Sequence, residues 1–240
     1  MEQDQNVEKM IVGFKEKWRT GYEYNSNHLV LFRGAKVPAE IQTELYMCLF
    51  YMGYLYKLAD RLDQNVLNLD ETLMRQVNNY QNKGGLCIYL SVVLYWILRK
   101  HTNINKKLLH YCQGLYRITF EELDDILLHG PGRDGLHAWL EINKSIVDIS
   151  IKQIEAFYDF KGAPIILGEV PADLELIGFR ETHECVKAYA KQLANEVGLN
   201  RKEWIKQHYK NAVRVFIEHQ KKGRNNQAPQ RVKGTEQAGN

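Results

Sequence analysis

Residues 136–151 read Leu136-His137-Ala138-Trp139-Leu140-Glu141-Ile142-Asn143-Lys144-Ser145-Ile146-Val147-Asp148-Ile149-Ser150-Ile151. Two alternating runs flank Asn143-Lys144, which predicts an antiparallel hairpin around a two-residue turn. In that register Ile142 pairs with Ser145, Leu140 with Val147 and Trp139 with Asp148. Side chains alternate between faces along a strand, and directly opposed residues share a face. One face then collects Leu136, Ala138, Leu140, Ile142, Val147, Ile149 and Ile151, an apolar core face. The other collects His137, Trp139, Glu141, Ile146, Asp148 and Ser150. A slip of one residue would bury the polar set, so the pattern fixes the register. His137 and Asp148 become diagonal neighbours, roughly 7–8 Å apart at Cα. A carboxylate there holds an imidazole in one tautomer and favours its protonated form. A His and an Asp on a solvated face would be ordinary, but Trp139 between them implies that something covers this face.

Fifty residues upstream, Gly84-Gly85-Leu86-Cys87 leads into an apolar run that extends to about Lys100. A helix apolar on nearly every side belongs at the centre of a domain. Cys87 falls in its first turn, where backbone N–H groups lack internal partners and the dipole favours a thiolate. The glycines let backbone or substrate approach closely. The competing reading is a small core residue. Thiol, imidazole and carboxylate, in the chain order Cys87, His137, Asp148, suggest a nucleophile, its base and an orienting acid. An oxyanion would be met by the Cys87 N–H and by the side-chain amide of Gln81, with Asn82 as competitor. Gly85 and Trp139 are expected to line the substrate cleft.

The rest of the chain bounds this reading. Its 240 residues are 45% apolar, enough for a substantial core. Cys48, Cys87, Cys112 and Cys185 are scattered, with no zinc-knuckle or redox spacing. Cys48 and Cys185 read as buried small residues, and a zinc site from Cys87, Cys112 and His137 matches no compact motif. No cofactor is implied. The polar N-terminus and the lack of a long apolar span predict a cytoplasmic protein without a membrane span. The net charge is +3, of which residues 221–240 carry +4, leaving the body at −1. That body offers nucleic acid no basic field, and the tail is expected to be disordered.

Periodicity predicts helices over 5–20, from Pro38 to about Leu62, over 71–80 with Asp70 as N-cap, over 152–160, 181–197 and 201–220. A strand is expected over 108–119 with a bulge at Gly114, and a flexible loop over 130–135 that could act as a lid beside His137. Residues 162–178 read as irregular and as the place for a domain break. His183, His208 and His219 read as surface residues. The expected organisation is an N-terminal helical part (1–79), a catalytic core (80–160), a C-terminal helical part (161–220) and the tail (221–240).

Three blocks resemble the transglutaminase-like branch of the papain-like cysteine enzymes. They are Gly84-Gly85-Leu86-Cys87-Ile88-Tyr89-Leu90 running into Trp96-Ile97-Leu98-Arg99, the strand over 109–118, and His137-Ala138-Trp139-Leu140-Glu141-Ile142 followed by Ile146-Val147-Asp148. Together they span about residues 80–152. The resemblance implies an α+β fold, with a central nucleophile helix packed on a small antiparallel sheet, to which this chain adds N- and C-terminal helices. It also implies a Cys87–His137–Asp148 triad, with Gln81 where papain-like enzymes place their oxyanion glutamine. The implied activity is cysteine-dependent acyl transfer on a peptide or protein amide, as protease, amidase or cross-linker. The usual Asp-Pro after the second strand is replaced by Asp148-Ile149-Ser150. Lys83-Gly84-Gly85-Leu86-Cys87 also resembles the Arg-Gly-Gly-x-Cys block of the arylamine N-acetyltransferases, which use acetyl-coenzyme A. Those enzymes carry an acidic residue two positions after the cysteine, where this chain has Tyr89. A third reading is a non-catalytic binding module on the same fold. The residues leave the substrate, the acyl acceptor and the oligomeric state open.

Overall fold

The computed structural model describes residues 30–59, 71–82, 85–120, 123–128, 137–151, 165–172 and 174–226. The helices expected over 5–20 and 152–160, Asp70 as a cap, Lys83 and Gly84, the 130–135 loop, Leu136 and the tail beyond Asn226 lie outside the described residues. In chain order the elements are β1 (Val30–Phe32), α1 (Ala39–Ala59), α2 (Glu71–Asn82), α3 (Leu86–His101), β2 (Leu109–Phe120), β3 (Leu123–Leu128), β4 (His137–Ile142), β5 (Ser145–Asp148), β6 (Ile166–Gly168), β7 (Leu174–Arg180), α4 (His183–Glu196) and α5 (Arg201–Asn226). The class is α+β: helices against one antiparallel sheet.

The sheet order is β1-β7-β2-β4-β5-β6, with β3 beside the far half of β2. Its two edges meet. Gly34, just after β1, bridges to Glu169, just after β6, and the Val170 N–H donates to the Arg33 carbonyl at 2.9 Å. Gly34 has φ +74, and a Cβ there would lie 2.1 Å from the Gly168 oxygen, so only glycine closes this seam. The curled sheet encloses Phe32, Cys112, Tyr116, Trp139, Ile146, Ile166, Leu174 and Leu176. Its opposite face, including Leu109, Tyr111, Ala138, Leu140, Ile142, Val147 and Ile149, packs on the helices.

The hairpin has the register that the alternation predicts: Leu140 opposite Val147, Glu141 opposite Ile146 and Ile142 opposite Ser145. Asn143 and Lys144 have φ 49 and φ 70, as a type I′ turn requires. The face assignment needs one correction. Ile151 lies beyond the end of β5, off the strand's alternation, and joins the enclosed cluster with Trp139.

Helix α3 is the hub. Leu86, Cys87 and every residue from Tyr89 to Leu98 are buried, as its all-round apolar character predicts. A second hub is polar. The Tyr51 hydroxyl hydrogen-bonds His208 Nδ1 at 2.6 Å, and His208 Nε2 meets the Tyr89 hydroxyl at 3.1 Å. Tyr89 and Trp204 both donate to Gln76 Oε1, and Gln76 Nε2 donates to the Leu193 carbonyl. Donors and acceptors run in one direction, which sets His208 as the neutral Nε2–H tautomer and ties together the five described helices.

Several expectations change. His208 is fully buried rather than superficial, because it falls on the stripe Trp204, Ile205, His208, Asn211, Ala212, Val215. His183 is half-buried against the Tyr95 hydroxyl, and Cys185 is half-buried too. Gly114 marks no bulge, since its pairing with Gly178 and with His137 is regular. It is glycine because a Cβ would lie 2.1 Å from the Ile177 oxygen. Residues 162–178, expected to be irregular, hold β6 and the start of β7, and β7 lies between β1 and β2. The part expected to be helical over 161–220 thus begins with two strands of the shared sheet. Helix α5 runs to Asn226, so 221–226 are helical rather than disordered. Among the described residues, no helix is long and apolar enough to cross a membrane.

Candidate active site

Helix α3 lies along β4, and one hydrogen bond helps to set their alignment. The Ser91 hydroxyl donates to the Ala138 carbonyl at 3.0 Å. Cys87 lies four residues before Ser91, one turn back by about 6 Å along the helix. On β4 the residue before Ala138 is His137. The first turn of α3 and the first residue of β4 therefore meet at the same end of the sheet. The N-cap, Gly85, supplies no side-chain oxygen to the first turn of α3.

His137 uses its two ring nitrogens differently. Nε2 donates to Asp148 Oδ2. Nδ1 is buried without a hydrogen-bond partner of ordinary geometry, while the nearby Cys87 thiol helps to favour the protonated ring. Asp148 is anchored in turn: its Oδ1 accepts from the Ser150 backbone N–H at 2.9 Å and from the Ser150 hydroxyl at 3.0 Å. Both carboxylate oxygens are thereby occupied, and the imidazole plane has one orientation.

Aromatic rings fix the imidazole from two sides. Trp139 lies nearly parallel to it, 27° between planes and 5.9 Å between centroids, and Tyr116 meets it edge-on at 5.4 Å. Phe32 packs against the far side of Trp139 at 5.3 Å. This is the cover that a tryptophan on the polar face of the hairpin implied. Two residues further along β4, Glu141 makes a bidentate pair with Arg180 at 2.5 and 2.9 Å.

Burial disfavours a charged His137, yet the charge and hydrogen bond of Asp148, with a further contribution from Cys87, outweigh it. The pKa of His137 is raised to about 10. The cationic form of the ring is therefore favoured beside the Asp148 carboxylate. Burial instead pushes the Cys112 thiol up, and it also raises that of Cys185.

Cys87, His137 and Trp139 are fully buried and Asp148 is 1% exposed. Gly85 and Gln81 are half-buried. Gln81 sits in the last turn of α2, six residues before Cys87. Cys112 lies opposite Trp139 inside the sheet. Among the described residues, no group of three or more His, Cys, Asp or Glu side chains is placed to hold a metal ion.

Two further residues shape the site: Ser91 and Ser150. Ser91 had a signal in the sequence, as the one hydroxyl other than tyrosine in the apolar run from Leu86 to Leu98.

No family model, curated protein or solved structure matches the chain.

Proposed function

We propose that this chain is a cysteine-dependent acyl-transfer enzyme of transglutaminase-like type, acting on a peptide or amide substrate. The observation that carries the reading is that His137 is bonded to Asp148 through Nε2 and is close enough to Cys87 for the thiol to favour its protonated form. An imidazole so held accepts the thiol proton and keeps it, because the carboxylate stabilises the cation. The Cys87 sulfur attacks the carbonyl carbon, the oxyanion forms near the start of α3, and the carbon–nitrogen bond breaks as His137 gives its proton to the leaving amine. Water, or an amine where water is excluded, then attacks the thioester. His137 takes that proton, the carbon–sulfur bond breaks and the thiolate returns. In this reading Gln81 and the Cys87 N–H stabilise the oxyanion, and Gly85 and Trp139 border the cleft.

An arylamine N-acetyltransferase-like activity is weaker here. The Tyr89 hydroxyl is committed to Gln76 and His208 in the helical network, so that position serves packing.

Competitive alkylation with iodoacetamide tests the proposal. By accessibility alone, half-buried Cys185 should react first, with Cys48, Cys87 and Cys112 equally slow. Faster labelling of Cys87 than of all three others, abolished in His137→Ala, is the expected result. Labelling in the order of exposure would sink the reading. Incubation with acetyl-coenzyme A followed by intact-protein mass spectrometry tests the second activity, since an acetyl adduct on Cys87 is required by it.

A further inference from the structure

The seam of the sheet borders a cavity that the triad does not use. It holds about 370 Å³ between the first half of α1 and the strand ends that meet at Gly34 and Glu169. Its floor is apolar: Val37 and Leu45 are buried, and Leu49 and Leu167 continue the surface outward. On α1 the lining residues Gln42, Leu45, Tyr46 and Leu49 recur at intervals of three and four, so one stripe of the helix faces the space. Tyr46 and Leu167 are among the large apolar side chains left exposed. Leu167 lies opposite Val147 on the helix-facing side of the sheet, whereas the next pair, Ile166 and Asp148, belongs to the enclosed side. Cavity and triad are therefore on opposite faces of β5 and β6.

Two opposite charges stand on one rim. Lys36 Cα is 3.7 Å from the position that a Cβ on Gly168 would take, and Glu169 is the next residue. The two side chains leave from adjoining backbone, yet among the described residues neither enters an ion pair. Gln42 Nε2 donates to the Val37 carbonyl at 3.3 Å, which leaves Oε1 as a further acceptor.

Size and charge select the occupant. Ligand cavities run from about 300 to 1,000 Å³, and this one is at the small end. A nucleotide would need more cationic side chains than one lysine. A peptide segment would bring backbone amides but no adjoining pair of opposite charges. A free α-amino acid brings a carboxylate for Lys36, an ammonium for Glu169 and Gln42 Oε1, and an apolar side chain for the floor.

We propose that this cavity binds a free α-amino acid with a large apolar side chain, its charged end held between Lys36 and Glu169 and its side chain laid against Leu45, Leu49 and Leu167. The inference does not depend on the role of Cys87.

Equilibrium dialysis of the full chain against L-phenylalanine and L-leucine tests it. Both should bind. N-acetyl-L-phenylalanine lacks the ammonium and L-phenylalaninamide lacks the carboxylate, and each should bind about ten-fold more weakly. Glu169→Gln should remove the preference for the free ammonium, and Lys36→Met the preference for the free carboxylate. Both residues are exposed, so thermal melts of the two variants should match the wild type. Absence of binding by either amino acid overturns the proposal. Equal binding of free and blocked compounds also overturns it and leaves an apolar groove suited to a peptide. A mass that rises with concentration in light scattering, and that Tyr46→Asp returns to the monomer, would assign this face to a second copy of the chain and overturn the proposal as well.

Discussion

The Ser91 hydroxyl donates to the Ala138 carbonyl, and this hydrogen bond between α3 and β4 helps to align the helix turn of Cys87 with the strand position of His137. Ser91→Ala removes a buried hydrogen bond and should cost about 1–2 kcal/mol in urea unfolding. Iodoacetamide should also label Cys87 more slowly in this variant. Loss of stability with unchanged Cys87 labelling would show that the bond serves packing alone.

Stability should fall as pH rises above neutrality, for a reason specific to His137. Folded His137 keeps its proton up to about 10, whereas an unfolded histidine loses it near 6.5. Its contribution is full below about 6.5 and is lost as pH climbs toward about 10. Denaturant melts across this range should show the decline in the wild type and a flatter curve in His137→Gln. Parallel curves would mean that His137 is not held as the cation.

The opposite sign applies to His208, whose pKa burial lowers to about 3. Unfolded chains take up a proton at this histidine near 6.5, while folded ones resist until about 3. Stability is full above about 6.5 and is lost as pH falls, by up to about 1.4 kcal/mol per pH unit. His208→Gln should be less stable at neutral pH but lose less on acidification. A steeper acid loss in the variant would contradict the assignment.

Gly34→Ala tests the seam of the sheet. The new Cβ meets the Gly168 oxygen in a backbone conformation with positive φ. The cost should exceed about 1 kcal/mol in thermal or urea melts. A neutral substitution would show that the two edges do not need this contact.

The hairpin was legible in the sequence because its strands are short and strictly alternating, and the turn is two residues. A pattern of period two then fixes register and faces together. Helix α3 was legible for a similar reason, as a run apolar all round leaves no solvent-facing side. What the sequence hid were long-range choices. Strand β7 pairs with both β1 and β2, and nothing local in Leu174–Arg180 announces partners so distant in the chain. Ile151 left its expected face because strand alternation ends before it. His208 is buried despite its polarity, because its spacing from Trp204 and Ala212 puts it on the buried stripe. The pairing of Cys87 with His137 depended on how α3 lies along β4, and Ser91 helps to set that from within a segment whose composition shows only burial.

The contact between Gly34 and Glu169 has a kinetic side. It joins the first and last strands of the sheet path, and β1 docks on β7 from the other end of the described chain. Contacts between segments so far apart in sequence must be made by loop closure before they stabilise anything, and proteins dominated by such contacts refold in milliseconds to seconds rather than microseconds. The α1–α2–α3 segment and the β4–β5 hairpin can form early from neighbouring residues. Sealing the seam is expected to come late, after the main folding barrier, so that Gly34→Ala would affect the unfolding rate more than the folding rate.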